Sequence, residues 1–327
     1  MKSMQPDLQR RELLLGGVTA LALSTASEPL AAATQPSASL TGPYLDLSTP
    51  RGNMLMLARM SGDLDLAQQK RGWYNGYVMG VRPGEPLRDL FGFAGFGMSR
   101  LLPHESGTGY RKVLREVGIY YDLKSGEPLE EYDNPYTGER VRVVPVANDP
   151  FNTQIQEFIQ PPPSYGGLNA GGPPPKIPLS LPWKKQGSLL TLERHIHLYY
   201  KNALQPEVWP RESAGEKVRV SEFFTYFFDF AQVQDPKVTT LPFHGTWCRV
   251  TPWLPWMLMG QANGHCQYMT YQGSGQQIED VLPRAVLDYI EKRYPLYLDA
   301  PDKWVEPSLS SIERYALEQR PAPLRAP

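Results

Sequence analysis

The stretch KVRVSEFFTYFFDFAQ, Lys217 to Gln232, decides how this chain is read. Its apolar residues recur at every second position: Val218, Val220, Phe224, Tyr226, Phe228 and Phe230. A period of two places them on one face of a β-strand, with the alternate residues on the other face. Glu222 falls on the apolar face. A carboxylate there must be paired or protonated, because burying a bare charge is very unfavourable. The same texture of short apolar runs broken by Gly, Pro, Asn and Asp extends in both directions. Strands are expected at Trp73 to Val81, Leu87 to Leu101, Tyr110 to Leu123, Leu189 to Tyr200, Leu241 to Thr251 and His265 to Tyr271. A hairpin is expected from Glu130–Asp133 and Arg140–Ala147 around Asn134-Pro135-Tyr136-Thr137-Gly138. Glycines within Leu87–Leu101 indicate bends or close backbone approach.

Helical spacing appears only at Asn53 to Leu66, Val281 to Tyr294 and Ser308 to Gln319. The sum is roughly nine or ten strands with no alternation of strand and helix, which argues against a doubly wound sheet. The expected fold is mainly β: an antiparallel meander closed or strongly curled into a barrel, with a few peripheral helices. Residues 51–320 are expected to form one such domain. The Pro/Gly-rich stretch 161–182, with Pro161-Pro162-Pro163 and Pro173-Pro174-Pro175, reads as a long surface loop.

The N-terminus reads as an export leader. Arg10-Arg11 precedes a mildly apolar run to Leu23, and Ala31-Ala32-Ala33 supplies small residues for cleavage. The paired arginines point to a twin-arginine-type signal over residues 1–33, and so to the periplasm. An ordinary Sec signal and an unprocessed helical N-terminus are the alternatives. Residues 34–50, rich in Ser, Thr, Ala and Pro, read as a flexible lead-in.

The chain has 327 residues and a formal net charge of -1, so no strong field draws it to nucleic acid. No later segment has the length and apolarity of a membrane span. Its 33 prolines argue against a helical bundle. The two cysteines, Cys248 and Cys266, are too few to hold an iron–sulfur cluster. They could pair as a disulfide in an oxidising compartment or remain as buried thiols. There is no G-x-S-x-G elbow, no H-E-x-x-H, no phosphate-binding G-x-x-x-x-G-K-[ST], and no G-x-G-x-x-G opening a helix.

Several segments together resemble the family known as the domain of unknown function numbered 1838. They include Arg115-Glu116-Val117-Gly118-Ile119-Tyr120-Tyr121-Asp122, Asn134-Pro135-Tyr136-Thr137-Gly138-Glu139 and Asn148-Asp149-Pro150-Phe151-Asn152. Trp209-Pro210-Arg211-Glu212-Ser213-Ala214-Gly215 is another. The most specific is Trp247-Cys248-Arg249-Val250-Thr251-Pro252-Trp253-Leu254-Pro255-Trp256-Met257-Leu258-Met259-Gly260. The resemblance spans most of residues 70–302. It implies a shared fold and carries no assigned activity or catalytic residues.

Candidate chemistry centres on Glu222, whose burial would raise its pKa and suit it to general acid or base work. The structural alternative is a clamp between Glu222 and Arg249. His195 and His197 lie two apart in a strand and project together with Glu193 and Tyr199. They could begin a metal site, with His244 or His265 as third ligand, or supply one general base; a solvated polar face is the structural alternative. Asn148 and Asp149 read as turn residues, or as ligand-binding groups at a barrel mouth. Trp253 and Trp256 read as the wall or entrance of an apolar pocket, and Trp247 as core.

The sequence therefore points to a cofactor-independent enzyme, a lyase by preference, acting on an aromatic or polycyclic small molecule. Glu222, His195 or His197 would move a proton, and Arg249 or Tyr226 would steady negative charge. Trp253, Trp256, Asn148, Asp149, Tyr120 and Phe224 would bind the substrate. The alternatives are a periplasmic carrier for a hydrophobic ligand and a metal-dependent hydrolase or oxygenase using His195 and His197. Expected partners are a hydrophobic or aromatic small molecule, with no nucleic acid and no stable membrane insertion after processing; a homodimer is left open.

Overall fold

A computed structural model describes residues 39–159 and 176–324. The leader expected at 1–33 lies outside the described residues, as does most of the loop expected at 161–182. The described elements, in chain order, are α1 (Pro50–Ser61), β1 (Lys70–Val81), β2 (Arg88–Pro103), β3 (Tyr110–Tyr121), β4 (Glu131–Asp133), β5 (Arg140–Arg142), β6 (Val146–Asn148) and β7 (Thr153–Ile155). They continue with β8 (Phe158–Ile159), β9 (Ile177–Pro178), β10 (Trp183–Gln186), β11 (Leu189–Lys201), β12 (Lys217–Asp229), α2 (Phe230–Val233), β13 (Phe243–Thr251), β14 (His265–Ser274), α3 (Arg284–Arg293) and α4 (Ser311–Glu318).

Ten strands form one antiparallel sheet in the order β10-β11-β12-β13-β14-β1-β2-β3-β6, with β7 also paired to β3. Among the described residues the expected closure into a barrel does not occur, because β10 at one end and β6 and β7 at the other pair with no further strand. Both ends carry features that stop pairing. The outer strand β10 presents Lys184 and Lys185, charges that discourage a further neighbour. At the far end Pro150, which has no N–H to give, separates two three-residue strands.

The strand expected over Lys217–Gln232 ends at Asp229, whose carboxylate caps α2 by accepting from the N–H groups of Ala231 and Gln232. The described part of the lead-in is packed rather than free. Leu45 and Leu47 are buried, and Gln234 accepts hydrogen bonds from the N–H groups of Tyr44 and Leu45 at 3.1 and 2.9 Å. Helix α1 begins where Thr49 accepts from the Gly52 N–H at 3.0 Å and Pro50 presets the first turn.

Two faces of the sheet carry different contents. On β1 to β3 the outer face, with Trp73, Ala94, Phe96, Val117 and Ile119, packs against Val286, Leu287 and Ile290 of α3. The other face turns toward an internal cavity. Close backbone approach matters there. Gly95 and Gly118 oppose each other across β2 and β3, and the Tyr74 hydroxyl donates to the Val117 carbonyl at 3.0 Å. A Cβ on Gly118 would stand 2.6 Å from the Tyr74 hydroxyl, so only glycine leaves that path open. At one end of the cavity, α1 packs Met56 and Met60 with Trp183, Leu190, Leu192 and Tyr226. At the other, Trp253, Trp256 and Met257 pack with Phe91, Phe93, Tyr120 and Tyr268. Among the described residues no helix is long and apolar enough to cross a membrane.

Candidate functional site

Strand alternation decides which side chains reach the cavity. On β12 the even positions Val218, Val220, Glu222, Phe224 and Tyr226 line it. Residues directly opposite in an antiparallel ladder share a face. Glu222 lies opposite Arg249 on β13 and Ile196 on β11. Arg249 in turn lies opposite Tyr268 on β14. Thus Arg194, Ile196, Leu198 and Tyr200 of β11, Trp247 and Arg249 of β13, and Tyr268 and Gln272 of β14 face the same space. From the far side β3 contributes Lys112, Leu114, Glu116 and Tyr120. The cavity has a volume of about 1150 Å³, above the ~300–1,000 Å³ typical of small-molecule sites.

Its lining is apolar and aromatic around a small polar group. Glu222 and Arg249 form an ion pair with N···O 3.7 Å, as the structural reading of Glu222 expects. Both nevertheless border the cavity, and Arg249 keeps 32% of its side-chain surface while protein encloses it. Burial works against the Arg249 charge, but Glu222, Tyr268, Tyr200 and Tyr120 outweigh it and hold the guanidinium protonated. Its Nε has no hydrogen-bond partner, and neither has the buried indole Nε1 of Trp247.

Glu116 is the second carboxyl of the site. Asn148, 2% exposed on β6, donates to it from Nδ2 at 2.9 Å and to Ser311 Oγ of α4 at 3.1 Å. Burial pushes the Glu116 carboxyl above its usual range, and the Glu222 charge pushes the same way. The Asn148 hydrogen bond, Lys112 and Arg249 oppose this without reversing it. Tyr120 and Tyr268 share a hydrogen bond between their hydroxyls at 2.9 Å. Burial drives Tyr120 up to about 12 and Tyr226 likewise to about 12, so both remain hydrogen-bond donors at neutral pH.

The structure sorts the sequence candidates. Glu222, Arg249, Tyr226, Phe224, Tyr120, Asn148, Trp253 and Trp256 all line the cavity. Asp149 does not. Its carboxylate pairs with Arg115 Nε at 3.0 Å and its carbonyl accepts from Arg314, so it joins α4 to β3. His195 and His197 sit on the outer face, exposed, and stack edge-on against Phe223. Placed there they cannot reach a molecule in the cavity. Among the described residues no group of three or more His, Cys, Asp or Glu has metal-holding geometry.

Both cysteines are free. Cys248 lies opposite Met269 and Cys266 opposite Thr251, so the two thiols point to different faces of the sheet. Glu116, Tyr268, Tyr200 and Tyr74 escape the sequence reading. Glu116 shares strand parity with Tyr120, so the Tyr120 assignment carried the signal for it.

The fold and this cavity define a class: a mainly antiparallel β protein holding a large aromatic-lined chamber whose wall carries Glu116, Glu222 and Arg249 among its polar groups. Within that class the chain belongs to the family described as "Protein of unknown function (DUF1838)", whose profile matches residues 67–318. A search of the curated proteins finds none that matches. Two motifs that carried the resemblance meet in space. Asn134 donates to the Met257 carbonyl at 2.7 Å, and the Tyr136 and Trp253 rings lie 5.0 Å apart.

Proposed function

We propose that this protein is an enzyme of lyase type that moves a proton on an aromatic or polycyclic small molecule held in the cavity. In this reading the open sheet curls around its ligand. Laid flat, β3 and β11 would stand about 29 Å apart at ~4.8 Å per strand, yet both line the same space. The observation that carries the reading is the unequal pair of carboxyls. Glu116 is pushed toward its neutral form, while Glu222 carries Arg249 as counter-ion. Two carboxyls in one site with different surroundings can divide acid and base roles.

Glu222 removes a proton from a carbon beside a carbonyl or phenol. Arg249 and the Tyr120–Tyr268 hydroxyls receive the negative charge that develops on oxygen. The electron pair of the broken C–H bond forms the new double bond as the bond to the departing group breaks; that bond's pair leaves with the group, which Glu116 protonates. We propose the periplasm as the site of this chemistry, on the Arg10-Arg11 leader pattern of the sequence.

The test joins ligand identification to two substitutions. Native mass spectrometry of the exported protein reports any retained molecule. Turnover of that molecule, or of a panel of polycyclic ketones and phenols followed by ultraviolet absorbance, is then compared across variants. Glu116→Gln and Glu222→Gln should each lower turnover by ~10²–10⁴-fold, the range for losing a general acid or base. Unchanged turnover in both variants sinks the assignment. A second reading, a carrier without turnover, is favoured by the Glu222–Arg249 pair itself, which neutralises the acid it holds. Wild-type protein that binds a ligand and returns it unaltered selects the carrier.

A further inference from the structure

Two cations in the cavity have no job in the chemistry above. Lys112 of β3 and Arg194 of β11 both border the cavity, from strands near opposite ends of the sheet order. Neither side chain donates a hydrogen bond or joins an ion pair among the described residues. The other cations that border the cavity each have at least one protein partner. Arg249 has Glu222. Arg314 donates to the Asp149 carbonyl. Lys70 donates to the Arg59 and Leu241 carbonyls at 3.0 and 2.6 Å.

Burial pushes the Lys112 amine below its ordinary value; Glu116 opposes this, and Arg194 adds to it through like-charge repulsion. Two like charges facing one low-dielectric space repel unless an anion joins them. Glu116 cannot be that anion for both, since it is already bonded to Asn148 and leans toward its neutral form.

We propose that Lys112 and Arg194 form an oxyanion subsite that takes a carboxylate carried on an apolar aromatic body. Arg194 supplies a planar fork matched to a carboxylate, and Lys112 supplies a point charge from the facing strand. Phe224, Tyr226 and Trp247 border the same space and offer faces for the aromatic body. This deepens the proposed function by naming its substrate class, and rests on that reading only for the claim that the cavity takes an aromatic ligand.

The probes are 2-naphthoate and its neutral methyl ester, titrated calorimetrically into the full protein. The two share one body and differ in charge. Wild type should bind the acid at least ~10-fold more tightly than the ester, since charge-assisted bonds contribute more than neutral ones. Lys112→Gln and Arg194→Gln should each remove most of that preference and leave ester affinity within about 2-fold. Raising salt should erode acid binding and spare the ester.

Acid bound no more tightly than ester in wild type overturns the subsite, as does absence of binding by both. A preference that survives both substitutions also overturns it. The wild-type comparison needs no variant, so misfolding of either variant leaves the proposal open to refutation. Failure of the subsite is separable from failure of the enzyme reading. The first is read in acid-to-ester ratios, the second in turnover by the Glu116→Gln and Glu222→Gln variants.

Discussion

Arg59 and Arg249 are both enclosed by protein, and their donors are spent in opposite ways. Arg59 on α1 is 0% exposed. Its guanidinium donates to the carbonyls of Val238, Val233, Gln232 and Asp235 at 2.7, 2.6, 2.9 and 3.0 Å. Every contact is to backbone just after β12, so the side chain ties α1 to the turn that leads into β13. Arg249 makes one loose ion pair at 3.7 Å, leaves Nε without a partner and borders the cavity. A buried cation whose donors are consumed by the chain is a joint. One whose donors remain open toward a cavity is available to a ligand.

The largest expected effect tests that contrast directly. Arg59→Met strips four carbonyls of a charged donor and should lower the unfolding free energy by about 3–5 kcal/mol, the range for breaking a buried charged contact. Arg249→Met should cost less, about 1–2 kcal/mol, because its pair is long and the cavity lets solvent reach Glu222. Urea unfolding of the two variants reads the difference. Equal losses would mean that Arg249 is a joint as well, and the active-site reading would lose its guanidinium.

Lys70 sharpens the comparison, because it belongs to both regions. It is 8% exposed and lines the cavity, yet its ammonium is held by the carbonyls of Arg59 and Leu241. Burial pushes its pKa from 10.5 down to about 7, and Lys112 pushes the same way while Asp63 opposes. The sign follows from proton counting. Below about 7 both states carry the proton. Above it the folded amine loses its proton while the unfolded one keeps it, so stability rises with pH. Unfolding free energy should therefore increase between pH 7 and about pH 8.5, and Lys70→Met should flatten that rise. A profile that falls across this window in wild type, or a rise that persists in the variant, removes Lys70 as its source.

Much of the fold is legible in the chain because the strands on one side of the molecule have a plain period of two. On β12, Val218 to Phe228 alternate between cavity and exterior, and Glu222 follows from that pattern alone. On β3 the pattern fails, because Val117 and Ile119 are buried beneath α3 while Leu114 and Tyr120 are buried toward the cavity. Charged residues also fall on both faces, Arg111 and Arg115 on one and Lys112 and Glu116 on the other, so alternation alone does not single out Glu116, and only its shared parity with Tyr120 points it to the cavity. Closure is illegible for a different reason. Whether end strands meet depends on pairing between distant segments, and the far edge is made of three-residue pieces flanking Pro150. The pair Glu222–Arg249 needed the register between β12 and β13, which local pattern does not supply.

The smallest expected effect concerns the other face of the same ladder. On β11 the even positions are apolar at Leu190, Leu192, Ile196 and Leu198, with Arg194 the charged exception, and the odd positions Glu193, His195, His197 and Tyr199 are polar or amphipathic. That division already sends the histidines away from the core, and the pairing of Ile196 with Glu222 fixes it. His197 shares a hydrogen bond with Ser221 at 3.0 Å, and both histidines contact the Phe223 ring at the surface. These are exposed contacts, worth tenths of a kcal/mol. His195→Ala and His197→Ala should each shift stability by no more than about 0.5 kcal/mol and leave turnover within about 2-fold, in contrast to the losses expected at Glu116 and Glu222. A drop of tenfold or more in either histidine variant would move the chemistry from the cavity to the outer face, since no path through β11 connects an outward side chain with a ligand on the opposite side.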